Sequence, residues 1–137
     1  MQDFNAFTHV ALAHFTSSAF LEAIRSEGLK PRNAGIQPIL DNLVTSLDDV
    51  YLAARADRFY SERATRAFGG VGIAVLVHVP LANLSVDENV FAPNDSSHPV
   101  DKKSALHRSL LVGYCKHQGL IAPESIRGIY HMDGRPI

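Results

Sequence analysis

The chain has 137 residues, 46% of them hydrophobic and 20% charged, with a formal net charge of −1 and a mean hydropathy near zero. That size buries one core without covalent staples, and the composition excludes disordered and collagen-like chains. Near-neutral charge gives no global footprint for nucleic acid, so such a partner would need a local patch. Cys115 is the only cysteine, which excludes an internal disulfide, and it is expected to pack inside a helix.

The N-terminus lacks a basic region followed by an apolar run, because Asp3, Thr8 and His9 interrupt it, so no signal peptide is expected. The most apolar stretch, Val71 to Val79, is about half of what a membrane-spanning helix needs. A soluble, cytoplasmic protein is the expectation, and delivery into a target cell without a cleavable signal is compatible with it. No repeat or linker divides the chain, so residues 1–137 are read as a single domain.

In chain order, Phe7 to Phe15 reads as a first strand with His9 and His14 set into it. Thr16, Ser17 and Ser18 supply capping hydroxyls for a helix whose apolar face is Phe20, Leu21 and Ile24. Gly28 and Pro31 stop that helix. A short amphipathic piece follows around Ile39, Leu40, Leu43 and Leu47. Val50 to Ala53 is a short strand, and a helix from Arg55 to Phe68 ends at Gly69 and Gly70. Val71 to Val79 is rich in β-branched residues and reads as a strand ending at Pro80.

Val86 to Val100 is polar with two prolines, an exposed loop. A third helix is expected from Lys103 to His117, with Leu106, Leu110, Leu111 and Tyr114 as its buried stripe and Gly119 as its stop. Ser125 to Met132 alternates loosely and closes the fold as a last strand. Strands interleaved with helices on a mixed sheet give an α+β class.

Three segments carry chemistry. The first is His14-Phe15-Thr16, followed by a helix ending in Gly-Leu-Lys-Pro. The second is Val50-Tyr51-Leu52-Ala53, followed by Phe59 and Tyr60. The third is Pro123-Glu124-Ser125-Ile126. In order and spacing they resemble the ADP-ribosyltransferase superfamily, closest to its diphtheria-toxin and poly-ADP-ribose-polymerase branch. That branch carries a His-Gly-Ser/Thr pattern on its first strand, a Gly-Ile-Tyr-Phe-Ala strand and a Glu before a late strand. The resemblance runs from about residue 9 to 131, and Phe15 stands where the branch has Gly.

This resemblance implies a split mixed β-sheet with flanking helices and NAD as substrate. It implies that His14 bonds a ribose hydroxyl of the adenosine half, supported by Phe15 through its backbone and by Thr16 or Ser17. Tyr51 would lie against the nicotinamide ring, with Phe59 or Tyr60 as a second wall. Glu124 would hold the nicotinamide-ribose 2′-hydroxyl and stabilise the oxocarbenium-like centre. Aromatic faces suit a flat cationic leaving group, and a carboxylate suits a developing cation.

Several groups have competing readings. His9, on the opposite strand face from His14, is the alternative histidine, and Asp87 and Glu88 are the alternative carboxylates. Arg55, Arg58, Arg63 and Arg66 fall within an arc of roughly 140° at about 100° per residue. That arc is either a solvated face or a surface for the NAD pyrophosphate, Arg55 included, or for nucleic-acid phosphates. His107, Cys115 and His117 lack zinc-site spacing, so no metal is expected. No phosphate-binding glycine loop is present.

The implied activity is mono-ADP-ribosyl transfer by a small toxin- or effector-like enzyme to a protein, RNA or DNA acceptor, with an immunity or antagonist protein as a further partner. The alternatives are RNA 2′-phosphotransfer, which also consumes NAD, and a binding module of the same fold that has lost turnover.

Overall fold

The computed structural model describes residues 9–31, 49–54, 58–86 and 113–137. Strand β1 (His9–Ser17) runs two residues further than the apolar pattern predicts. Its partner β3 (Gly72–Pro80) pairs with it over nine positions, from His9 opposite Pro80 to Ser17 opposite Gly72. Residues of one parity on β3 (Ile73, Val75, Val77, Val79) are buried, and they face Thr16, His14, Leu12 and Val10 on β1. Both strands therefore put their β-branched and long apolar side chains into one core. Pro80 is the last residue of β3, where its missing N–H interrupts no interior ladder.

Strand β2 (Asp49–Ala53) lies between β1 and β5 (Tyr114–Gln118). Strand β4 (Leu84–Val86) forms one edge, and β6 (Ile126–His131) pairs with β3 near the other. The strand order is β4-β5-β2-β1-β3-β6. Every pairing between these strands is antiparallel, where the sequence led to the expectation of a mixed sheet. With helices α1 (Leu21–Glu27) and α2 (Arg58–Phe68), the class is α+β.

The pairing of β1 with β2 is confined to a single position, Ala13 opposite Ala53. The neighbouring β2–β5 pairing spans five positions, and β1–β3 spans nine. The sheet is thus two three-stranded halves, β4-β5-β2 and β1-β3-β6, hinged at one residue pair.

Of the three predicted capping hydroxyls only that of Ser17 caps, and it caps a 3-10 turn rather than α1, whose N-cap Phe20 has no side-chain bond. A single 3-10 turn (Ser18–Phe20) precedes α1, and the Ser17 hydroxyl accepts from the Ala19 N–H at 3.0 Å. Gly28 stops α1 at φ +81, with its N–H on the Ile24 carbonyl at 2.9 Å. Leu29 then pairs with Ile121 through two 2.9 Å backbone bonds. This pairing pins the crossover from β5 to β6 against the core.

The C-terminal part of the expected third helix is a strand. Residues 114–118 alternate in burial, with Cys115 and His117 inside and Lys116 on the other face. Gly113 at φ +109 interrupts any helix running into this segment. Cys115 is therefore a core residue of a strand, completely buried opposite Leu52, rather than part of a helix. Tyr114 pairs with Ala53 instead of extending a helical stripe. The amphipathic piece at 39–47, the loop at 87–100 and the leucines at 106, 110 and 111 lie outside the described residues.

Candidate functional site at the split of the sheet

Two of the three chemistry-bearing segments meet where the sheet halves part. The His14 Nδ1 lies 2.8 Å from the main-chain carbonyl of Tyr51. A carbonyl only accepts, so Nδ1 carries the proton and Nε2 holds a lone pair. Burial pushes the imidazole below its ordinary pKa of 6.5, outweighing the opposing effect of the bond to Tyr51. The ring is therefore neutral at pH 7 and offers an acceptor nitrogen. Among the described residues His14 makes no second hydrogen bond. His9 sits on the other face of β1, stacked on His78 with ring centroids 5.2 Å apart, and does not approach Tyr51 through this arrangement.

The side chains of the first segment divide between the two sheet faces. His14 and Thr16 follow the core-facing parity, and Thr16 is buried. Phe15 follows the other parity and lines a cleft of about 270 Å³ with Ala11, Ala13, Ala53, Ala74 and Tyr130. Residues of both the first and the second segment thus contribute to one cleft across the hinge. Its floor of alanines leaves space that larger side chains would fill, and the aromatic rings of Phe15 and Tyr130 wall it. Small-ligand sites combine such apolar walls with few polar groups.

Ser17 was expected to support the cofactor, but its hydroxyl is committed to the fold. It is completely buried, donates to the Gly69 carbonyl and accepts from Ala19. Ser18 completes the tie: its hydroxyl accepts from the Val71 N–H at 2.9 Å, and its own N–H donates to the Val71 carbonyl at 2.8 Å. Gly70 is required here, since a Cβ would stand 2.6 Å from the Ser18 hydroxyl and φ is +78.

Tyr51 is half-buried on β2, opposite Lys116 of β5. Lys116 Nζ lies 3.4 Å from Asp49 Oδ2, and their side chains are only 19% and 11% exposed. This ion pair flanks Tyr51 on the same strand face, and sequence reasoning missed it because the segment holding Lys116 was taken for a helix. Tyr60 is half-buried on α2. Phe59 belongs to the same helix, and Arg55 lies outside the described residues.

Glu124 is not brought to this place. It is exposed in a 3-10 turn (Pro123–Ser125) ahead of β6. Ile126 is level with Val77, and thus with Leu12, whereas His14 is level with Val75 and Ile129. Two strand spacings and several residues along the strand separate Glu124 from His14, on the order of 15 Å. Tyr51 is one strand further still.

Beside the cleft lies a second, more polar groove of about 450 Å³. It is lined by Arg58, Ser61, Glu62 and Thr65 of α2 and by His131, Met132, Asp133 and Arg135 of the C-terminal turn. Arg135 Nε holds Asp133 Oδ2 at 2.7 Å. The Arg135 backbone N–H, first, and then its guanidinium keep the Asp133 carboxyl below the usual carboxylate range. Among the described residues no three metal-ligating side chains converge, and no helix is long and apolar enough to cross a membrane.

No protein-family model matches the chain, and no curated protein matches it significantly in sequence. The fold that can be stated is an α+β fold on a split antiparallel sheet. Any more particular assignment rests on the site itself.

Proposed function

We propose that this protein binds NAD at the split of its sheet and transfers ADP-ribose from it to a macromolecular acceptor, as an ADP-ribosyltransferase with a split-sheet fold. The observation that carries this reading is His14, held by Nδ1 to the Tyr51 carbonyl where the halves part, with Nε2 left as an acceptor. The acceptor nitrogen of this half-buried ring has no protein partner among the described residues, and a ribose hydroxyl supplies a donor that Nε2 can use. On the other sheet face at the same split, the alanine-floored cleft suits a flat ring against Phe15.

In that reaction the bond between nicotinamide and the ribose anomeric carbon breaks, and its electron pair leaves with neutral nicotinamide. The acceptor nucleophile forms the new bond to the anomeric carbon and gives up its proton to solvent or a base. The chain's own contribution is orientation of the ribose and ring, which lowers the entropic part of the barrier.

A second reading, an NAD-binding module without turnover, is favoured by one observation: Glu124, the carboxylate matched by sequence, stands away from His14. Nicotinamide release from NAD, measured together with NAD affinity, separates the two. Release that His14→Ala abolishes supports transfer. Affinity without release, with every acceptor class supplied, supports the module. Absence of NAD affinity overturns both.

A further inference from the structure

We infer that the polar groove between α2 and the C-terminal turn is the phosphate half of the same ligand site, with Arg58 and Arg135 as the groups that hold a pyrophosphate. The inference rests on the NAD reading above for the identity of the ligand, and on the groove's own geometry for its chemistry. His131 and Met132 line both the cleft and the groove. The two are therefore contiguous: an apolar slot sized for one ring opens into a larger space edged by guanidinium groups. A dinucleotide has this partition, with a flat base joined through ribose to a doubly anionic bridge.

The groove offers forked hydrogen-bond donors rather than a net positive charge. Arg58 is exposed at the start of α2 and makes no ion pair or hydrogen bond through its guanidinium among the described residues. Arg135 pairs with Asp133 at the surface, their side chains 73% and 55% exposed, and its other N–H donors remain available. His131 at the junction and the Thr65 hydroxyl add further polar contacts. Glu62 and Asp133 match the two arginine charges, so the groove is formally neutral and lacks the positive field that a long nucleic-acid strand requires. Two forked guanidinium groups facing one space are suited to bidentate contact with phosphate oxygens.

None of these residues belongs to the three sequence segments that resemble the superfamily. Arg58 was visible only as one member of a helical arginine arc, and Arg135 carried no signal. The site assembles because the C-terminal turn folds back, with Ile137 N–H on the Ile129 carbonyl at 3.0 Å and His131 N–H on the Arg135 carbonyl at 2.8 Å.

Calorimetric titration of the full chain with NAD, inorganic pyrophosphate and nicotinamide tests the assignment, using Arg58→Ala and the double variant Arg135→Ala/Asp133→Asn, which leaves no orphan carboxylate. Each variant is expected to weaken NAD and pyrophosphate about tenfold, the loss of one charged hydrogen-bonding group, and to leave nicotinamide affinity unchanged. Arg58→Lys should recover only part of the loss, because a point charge does not reproduce the fork. Wild-type protein that binds NAD, with both variants matching it within twofold, overturns the groove assignment while the NAD reading stands. Pyrophosphate binding that Arg58→Ala removes, in a protein with no NAD affinity, supports the groove as an anion site and overturns the NAD reading alone.

Discussion

Lowering the pH should weaken this protein through His14, and the size of the effect is bounded by the chemistry of one proton. Burial depresses the folded-state pKa of His14, and its Nδ1 proton is engaged with Tyr51. In the unfolded chain the imidazole titrates near its ordinary value of 6.5. A depressed histidine contributes stability that is complete above the unfolded pKa. That stability is lost as the pH falls below it, because the unfolded state then binds a proton the folded state refuses. Between pH 7.5 and 5.5 the loss is at most about 1.4 kcal/mol, the limit when the folded ring stays neutral throughout. The other six histidines add their own slopes, so the measurement is a difference between variants. His14→Asn keeps an amide donor near the Nδ1 position but removes the titration; His14→Ala removes both. Urea unfolding followed by circular dichroism at the two pH values should show the wild type losing up to that amount relative to His14→Asn. His14→Ala should be about 1–3 kcal/mol less stable than His14→Asn at both pH values, since it also removes the donor to the Tyr51 carbonyl. Identical pH slopes for the wild type and His14→Asn would refute the placement of His14 as a neutral buried donor.

Other perturbations probe the scaffold around the site. Gly28→Ala should cost about 2–4 kcal/mol in thermal or urea unfolding, because φ is +81 and a Cβ overlaps the Ile121 carbonyl that Leu29 pairs with. Lys116→Met leaves the half-buried Asp49 carboxylate without its partner and should destabilise by about 2–4 kcal/mol. The paired change Lys116→Met/Asp49→Asn should restore most of that in the same urea assay. Glu124→Ala, exposed and remote from His14, should leave NAD affinity and urea stability within error of the wild type. A tenfold fall in affinity would place Glu124 in the site against the register of β6.

Elements that declare themselves locally were legible in the sequence. The β3 strand is β-branched and bounded by Gly70 and Pro80, and its observed span of Gly72–Pro80 differs from the expected one by one residue at each end. The glycines after α1 and α2 named their own stops, and Ser17 the cap of the 3-10 turn before α1, because a cap is decided by one or two residues. The β5 strand was not legible. Leucines at 106, 110 and 111 continue at a helical spacing to Tyr114, so a helical period runs without a visible break into a strand. The competing signal was Gly113, followed by a segment in which Cys115 and His117 alternate with Tyr114 and Lys116. Five residues are too few for a period of 2 to outweigh a period of 3.6.

That error explains why the Lys116–Asp49 pair beside Tyr51 was missed. Once residues 114–118 pair with β2, Lys116 lies opposite Tyr51 and reaches Asp49, a contact between positions 67 apart in sequence that no local pattern encodes. The same pairing completes a three-stranded half that meets the other half only at Ala13 and Ala53. A sheet hinged at one pair of alanines leaves backbone groups on both sides of the gap without ladder partners. The His14 ring meets one of them, the Tyr51 carbonyl. Sequence resemblance picked out His14 and Tyr51 as residue types in order; the register explains why these two and not Glu124 meet. The chemistry of the site is set by the point at which the strands part.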